Sequence, residues 1–229
     1  NQGNYKIAHH KVSRRQCLEG LRDVVLQTSE QRAICGGPYE VPIHRGDPLS
    51  ATSCIDVFEY PNKPCVLPFV HTYGMQGEAF CALAGKRLCT EEEWVHACRG
   101  RNPTTYPYGN DDHPGYCNDN GKSPLGVLHS DMGEQAYASF SAMNDPRLNQ
   151  VAGTLARTGS HARCRNGYGV FDMVGNVHEW IADPGGTFRG GYYLDTHKNG
   201  DGCNYRTTAH DATYHDYSTG FRCCADPRR

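Results

Sequence analysis

Asp172 and Glu179 bracket the stretch Gly169-Val170-Phe171-Asp172-Met173-Val174-Gly175-Asn176-Val177-His178-Glu179-Trp180, which is too rich in Gly and Asn to be a helix. A loop of that kind brings its carboxylates into one small volume, where like charges repel unless something positive lies between them. A hard cation held by oxygen ligands meets that need, and calcium is the candidate. The competing reading is that Asp172 caps a turn and Glu179 pairs with an arginine.

A second group of chemically able residues lies toward the C-terminus. His178, His197, His210 and His215, with Asp195, could supply a mononuclear iron or copper centre. No ligand pair stands at i, i+4 spacing on an identifiable helix, so histidines that bind nothing remain the alternative. Tyr192, Tyr193, Tyr205, Tyr214 and Tyr217 could stack against a sugar or a peptide, or could be ordinary packing residues. Ser/His/Asp catalysis and nucleotide chemistry find no support: there is no G-x-S-x-G elbow, and no Gly-rich phosphate loop follows a strand.

The twelve cysteines, Cys17, Cys35, Cys54, Cys65, Cys81, Cys89, Cys98, Cys117, Cys164, Cys203, Cys223 and Cys224, are even in number and spread from end to end. None forms a C-x-x-C knuckle, so disulfides in an oxidising compartment are expected over zinc modules. Secretion or periplasmic export follows. The chain starts at Asn1 and not at methionine, which fits removal of an export signal or a start chosen for expression. No asparagine stands in a glycosylation sequon, since Asn102 is followed by proline. Net charge is -2 with scattered Lys and Arg, which sets nucleic acid aside. No apolar run approaches the length of a membrane span. A mean hydropathy of -0.67 with 26 Gly and 13 Pro implies a thin core and much loop.

The elements that must position these groups are few. Residues 1–53 read as an extended wrap with a short helix around Cys17 to Val25. Ile55 to Tyr60 alternates like a strand ended by Pro61. Met75, Ala79, Ala82 and Leu83 follow helical spacing, with Gly85 placed to close that helix in a left-handed conformation. Thr90 and Glu93 form a capping box for a second helix that Gly100 ends. From Asn102 onward some sixty residues are dominated by Gly, Pro, Asn and Asp, a length that ion binding or disulfides should pin. Short strands are predicted at Thr187 to Arg189, Tyr192 to Leu194 and Gly220 to Cys224. The adjacent Cys223 and Cys224 should place one sulfur on each face of the last strand and bridge to different partners.

The order of the motifs is itself informative. Glu59 after a strand is followed by Ala84-Gly85-Lys86-Arg87-Leu88-Cys89-Thr90-Glu91-Glu92-Glu93-Trp94 and Tyr106-Pro107-Tyr108-Gly109. The Asp172 to Trp180 loop, Phe188-Arg189-Gly190-Gly191 and Gly220-Phe221-Arg222 come next. Over residues 54–226 this resembles the formylglycine-generating enzyme, or sulfatase-modifying factor, family. The resemblance implies an α+β fold with low regular secondary structure, a disulfide-rich variant of the C-type-lectin-like fold, as a single domain over 1–229. It also implies bound calcium and, often, export. By motif match the Asp172 and Glu179 side chains with the Gly175 and Val177 carbonyls would hold one calcium. Asn118 with the Asp119 carbonyl would be part of a second site.

The active-site motif departs from the family. Members that oxidise a sulfatase cysteine to formylglycine carry two thiolates that bind copper(I). Here Asp195 stands where the first cysteine should be, Cys203 matches the second after a three-residue insertion, Tyr192 replaces a serine, and His178 replaces a tryptophan. Copper(I) is soft, and a carboxylate does not substitute for a thiolate. Formylglycine generation is therefore expected to be absent, with Cys203 in a disulfide. The expectation is an exported, calcium-stabilised binding or assembly module for a protein, peptide or glycan. The runner-up is a divergent copper or non-haem iron oxidase using Cys203, Asp195, His178 or His197, with His210 and His215.

Overall fold

Helix caps written in the sequence appear where the residues place them. The computed structural model describes residues 7–228. Its helices are α1 (Arg14–Gly20), α2 (Ser29–Cys35), α3 (Gly74–Leu83), α4 (Glu91–Arg99), α5 (Pro124–Leu128) and α6 (Phe140–Met143). Thr90 and Glu93 close the reciprocal box on α4, and Gly100, at φ 76°, ends it. Ser13 with Gln16 and Thr28 with Gln31 do the same for α1 and α2. Each box satisfies amides that a helix start leaves without partners. Gly85, at φ 71°, stops α3 as expected.

Two four-stranded sheets carry the chain. The strands are β1 (Glu40–Ile43), β2 (Ser53–Asp56), β3 (Arg87–Leu88), β4 (His178–Trp180), β5 (Phe188–Arg189), β6 (Arg206–Thr207), β7 (Thr219–Phe221) and β8 (Cys223–Ala225). The first sheet runs β1-β2-β8-β3, all antiparallel. The second runs β6-β5-β4-β7, with β4 and β7 parallel. Most of the chain is turn and loop, giving the α+β fold of low regular structure, a C-type-lectin-like variant.

Three expected strands are corrected. The one read over Gly220 to Cys224 breaks at Arg222, whose side chain turns inward to Glu179, into β7 and β8 of different sheets. The strand read over Ile55 to Tyr60 stops at Asp56. There the chain leaves the sheet, so that Phe58 stacks on Phe171 at 5.4 Å and Glu59 is delivered into the interior with no exposed surface. Tyr192 to Leu194 is a tight turn, with Tyr192 and Asp195 exchanging backbone hydrogen bonds of 3.0 Å. Gly190 and Gly191, at φ 82° and 70°, swing the chain out of β5 before it. A Cβ at Gly191 would lie 2.3 Å from the Asp195 carbonyl oxygen. Alternation alone does not register such a bend.

All twelve cysteines are paired. Cys17–Cys65 and Cys35–Cys54 fasten residues 7–53 to the rest, while β1 pairs with β2 and His9 donates its amide to the Gln150 carbonyl. Cys81–Cys223 and Cys89–Cys224 tie α3 and the start of α4 to β8 from opposite faces, as strand geometry dictates for neighbouring residues. Cys117–Cys164 closes the long Gly- and Pro-rich stretch, which also contains α5 and α6. The main core gathers Val41, Ile55, Val57, Phe58, Trp94, Val170 and Phe171 between the first sheet, α4 and the Asp172 loop. No described helix is long and apolar enough to cross a membrane.

Candidate functional site

The Asp172 to Trp180 loop lies wholly in the interior and ends in β4. Asp172 and Asn176 take positive φ, 57° and 59°, as short polar side chains tolerate, and Gly175 takes 78°. Gly175 is required there because a Cβ would fall 2.3 Å from the Asn118 carbonyl oxygen. That oxygen accepts the Asn176 amide at 2.8 Å, and the Asn118 side chain donates to the Thr154 carbonyl and to Asn176 Oδ1. The two segments expected to hold calcium therefore meet at Asn118 and Gly175-Asn176. Asp119 accepts the Gly115 amide and is pushed up by burial.

Glu179 has its arginine. Arg222 donates to it twice, from Nε at 2.7 Å and from Nη2 at 2.6 Å, and Trp94 Nε1 adds a third bond at 2.7 Å. Both charged residues are 1% exposed. A carboxylate offers roughly four lone-pair positions. Three on Glu179 are used, leaving one on Oε1.

Asp172 accepts the Gly159 amide at 2.6 Å. Glu59 accepts from Asn176 through Oε2, while its Oε1 is buried with no partner. Burial, with repulsion from the neighbouring carboxylates, raises Glu59 well above the usual range. Burial also takes Asp172 to about 7. Three buried carboxylates thus surround one guanidinium. The orphaned Glu59 oxygen is the kind of donor a hard cation accepts, while Arg222 already supplies one positive charge to the cluster and, among the described residues, no three His, Cys, Asp or Glu side chains converge as a metal-ligand set.

On the other face of β4, His178 lines a cleft of about 370 Å³. The cleft is lined by His178, Tyr192, Asp195, Tyr205, His210, Tyr214, Asp216 and Tyr217, among others. The His178 ring lies 4.5 Å from Phe188, 4.7 Å from Tyr192 and 5.5 Å from Tyr205. Burial drives it down to about 3, and its Nδ1 has no partner. His210 stacks on Tyr214 at 3.7 Å. Both cleft aspartates receive a tyrosine hydroxyl: Tyr205 donates to Asp195 at 3.0 Å and Tyr214 to Asp216 at 2.6 Å. Asp195 also accepts the His197 and Lys198 amides.

The other histidines stand apart. His197 is exposed and pairs with Asp201 and Asp112, which raise its pKa. His215 packs against Phe140 and Tyr73. Cys203, matched to a copper thiolate in the sequence, is bonded to Cys98 and has no exposed surface. Sequence reasoning missed Asp216 and Ser218 at the cleft. The only signal was an Asp-x-Ser turn, in which Asp216 accepts the Ser218 amide and hydroxyl.

The family model described as the sulfatase-modifying factor enzyme 1-like domain matches residues 3–227. The "Inactive C-alpha-formylglycine-generating enzyme 2" of Mus musculus is 32% identical over 71% of this chain and 50% of its own length. The "Formylglycine-generating enzyme" of Mus musculus is 27% identical over 99% of this chain and 61% of its own length. The chain thus spans about half to three fifths of these curated relatives. Among solved structures, PvdO from Pseudomonas aeruginosa aligns with a TM-score of 0.41 and 18% identity, over 72% of this chain and 66% of that one. With its motifs in family order and the family model matched almost from end to end, this chain belongs to the sulfatase-modifying factor, or formylglycine-generating enzyme, family.

Proposed function

We propose that this domain is exported from the cytoplasm, is stabilised by calcium, and works over its whole length as one binding or assembly module that has lost cysteine oxidation. The observation that carries this reading is the Cys98–Cys203 bond, which leaves no thiolate beside the cleft. Asp195, at the place of the other thiolate, is occupied by two amides and a tyrosine hydroxyl. Neither group is a soft ligand free to take copper(I). The mouse relative described as inactive supports the same reading.

Asp172, the Gly175 and Val177 carbonyls and the last lone pair of Glu179 would hold calcium, with Glu59 within the same charge cluster. The ion would neutralise buried negative charge and stiffen the loop ending in β4. Asn118 and the Asp119 carbonyl would contribute from the adjoining segment. Six disulfides support a secreted or periplasmic location, because such bonds persist in oxidising compartments.

In the cleft, Tyr214 and His210 present a stacked pair and Tyr192 a further ring, while Tyr205 and Tyr217, at 2% and 1% exposed, are packing residues of its wall. Aromatic faces flanked by aspartates suit a glycan or a peptide side chain. The test is a screen of immobilised glycans and peptides with the wild type and Tyr214→Ala. Binding that drops about tenfold in the variant supports the reading; hits unaffected by the change, or none, refute the cleft as the binding site.

A second reading, a divergent oxidase, draws on His178, whose buried Nδ1 is unpartnered beside His210 and Asp195. Among the described residues no three His, Cys, Asp or Glu side chains converge as a metal-ligand set. Stoichiometric iron or copper in the purified protein, with oxygen uptake in the presence of a thiol, would favour the oxidase.

A further inference from the structure

A second cleft, of about 520 Å³, lies between α2 and the 162–169 segment, away from the tyrosine cleft. Its floor is set by Arg165. That guanidinium lies 5.3 Å from the Phe171 ring and gives one Nη2 hydrogen bond to the Val25 carbonyl. Its Nε is buried with no acceptor. Arg163 lies over Tyr116 at 4.2 Å on the same wall. The ion pairs of the described residues engage Arg15, Arg87, Arg147, Arg189, Arg206 and Arg222, whereas Arg163 and Arg165 take part in none.

The polar lining is one-sided. Thr28 Oγ1 accepts the Gln31 amide, Gln31 Oε1 accepts the Thr28 amide, and Asn166 Oδ1 accepts the amides of Tyr168 and Val170. The side-chain acceptors are therefore used within the protein. The cleft is lined by two arginines and no Asp or Glu, with the Thr28 hydroxyl and the Gln31 amide nitrogen as further donors. A lining of donors and fixed positive charge selects a ligand made of acceptors and negative charge. Each guanidinium lies near an aromatic ring, and the N–H groups neither buried nor already bonded, those of Arg163 and the Nη1 of Arg165, are the ones that can grip a tetrahedral oxyanion.

We propose that this cleft binds a sulfate or phosphate ester carried on a saccharide-sized body, with Arg163 and Arg165 holding the oxyanion. The volume exceeds what a bare ion fills, and Val25 with Tyr168 supplies an apolar wall for the organic part. This site is separate from the tyrosine cleft, and its failure would leave the glycan or peptide reading of that cleft untouched.

The test is calorimetric titration of the intact protein, at constant ionic strength, with inorganic sulfate, inorganic phosphate, glucose 6-sulfate and glucose 6-phosphate. Saturable binding of at least one ester, tighter than that of the matching inorganic ion and weakened about tenfold in Arg163→Gln, supports the proposal. Arg165→Lys keeps the charge and can still reach the Val25 carbonyl, so it controls for misfolding. It should fold as the wild type does and bind the ester several-fold more weakly because the fork is lost. The sulfate and phosphate arms identify which ester is preferred. Absence of saturable binding by every probe, or affinities unchanged in both arginine variants, overturns it.

Discussion

Arg222 and Glu179 form a two-point ion pair in the interior, with guanidinium Nε and Nη2 at 2.7 and 2.6 Å from the two carboxylate oxygens. Arg222 also donates to the carbonyls of Asp56 and Phe171. One side chain from the segment joining β7 and β8 thus links β4, the end of β2 and the Asp172 loop. Removing Glu179 takes away the carboxylate that hydrogen-bonds Arg222 and leaves that buried charge only the more loosely placed Glu59 and Asp172. Glu179→Gln should cost about 3–5 kcal/mol, measured by urea unfolding at neutral pH. A loss under about 1 kcal/mol would mean that the pair is solvated and that this account of the interior is wrong.

Calcium should be visible in the same experiment. If Asp172 and the carbonyls beside it hold the ion, a chelator should lower the melting temperature and calcium restore it. At a hundredfold excess over the dissociation constant the linkage is worth about 2.7 kcal/mol. Asp172→Asn should abolish the calcium response while the disulfides remain intact. A wild-type melting curve insensitive to chelator and calcium alike would remove the ion from this domain.

The Cys98–Cys203 bond makes the protein unable to offer a thiolate pair. Copper(I) titrated into the oxidised protein should find no tight site, and a sulfatase-derived cysteine peptide incubated with it under oxygen should stay unmodified, as read by mass spectrometry. Cys98→Ala with Cys203→Ala should lower stability by about 2–4 kcal/mol, the usual worth of a disulfide closing a long loop. Formylglycine formed by the wild type would overturn the assignment.

His178 gives the cleft a defined pH response. Burial holds its folded-state pKa near 3, below the 6.5 of the unfolded chain. Between those values the unfolded state binds more protons, so stability falls as pH drops from 6.5 toward 3, by about 1.4 kcal/mol per pH unit for one such group. Above pH 6.5 this contribution is fully present. His178→Phe should take about 1.4 kcal/mol per pH unit out of the slope in that range, and the imidazole signal in an NMR titration should stay neutral down to pH 4.5. An imidazole titrating near 6 would show an open, hydrated ring.

Local chemistry was legible in the residues themselves. Thr90 and Glu93 mark the start of α4 because a capping box needs only four consecutive positions. Gly85 and Gly100 mark helix ends because a left-handed residue is a local demand. Cys223 and Cys224 must diverge because strand geometry alternates, and they do, to Cys81 and Cys89. The order of short motifs also identified the family, since each encodes a turn, a cap or a close backbone approach readable from neighbours in the chain.

What the residues left open was every relationship between distant segments. The sequence allowed Glu179 either a cation or an arginine, and only folding brought Arg222, 43 positions away, to its oxygens. It put Cys203 in a disulfide without naming the partner, and the approach of α4 supplied Cys98, 105 residues distant. His197 and His215 looked like companions of His178, yet of the candidates the turn after β5 brings only Asp195 and the segment after β6 only His210 to its cleft. Caps and turns are decided by the energetics of a few adjacent dihedrals, so the chain states them outright. Ion pairs, disulfide partners and clefts depend on which buried surfaces meet, a choice made by packing the whole molecule at once.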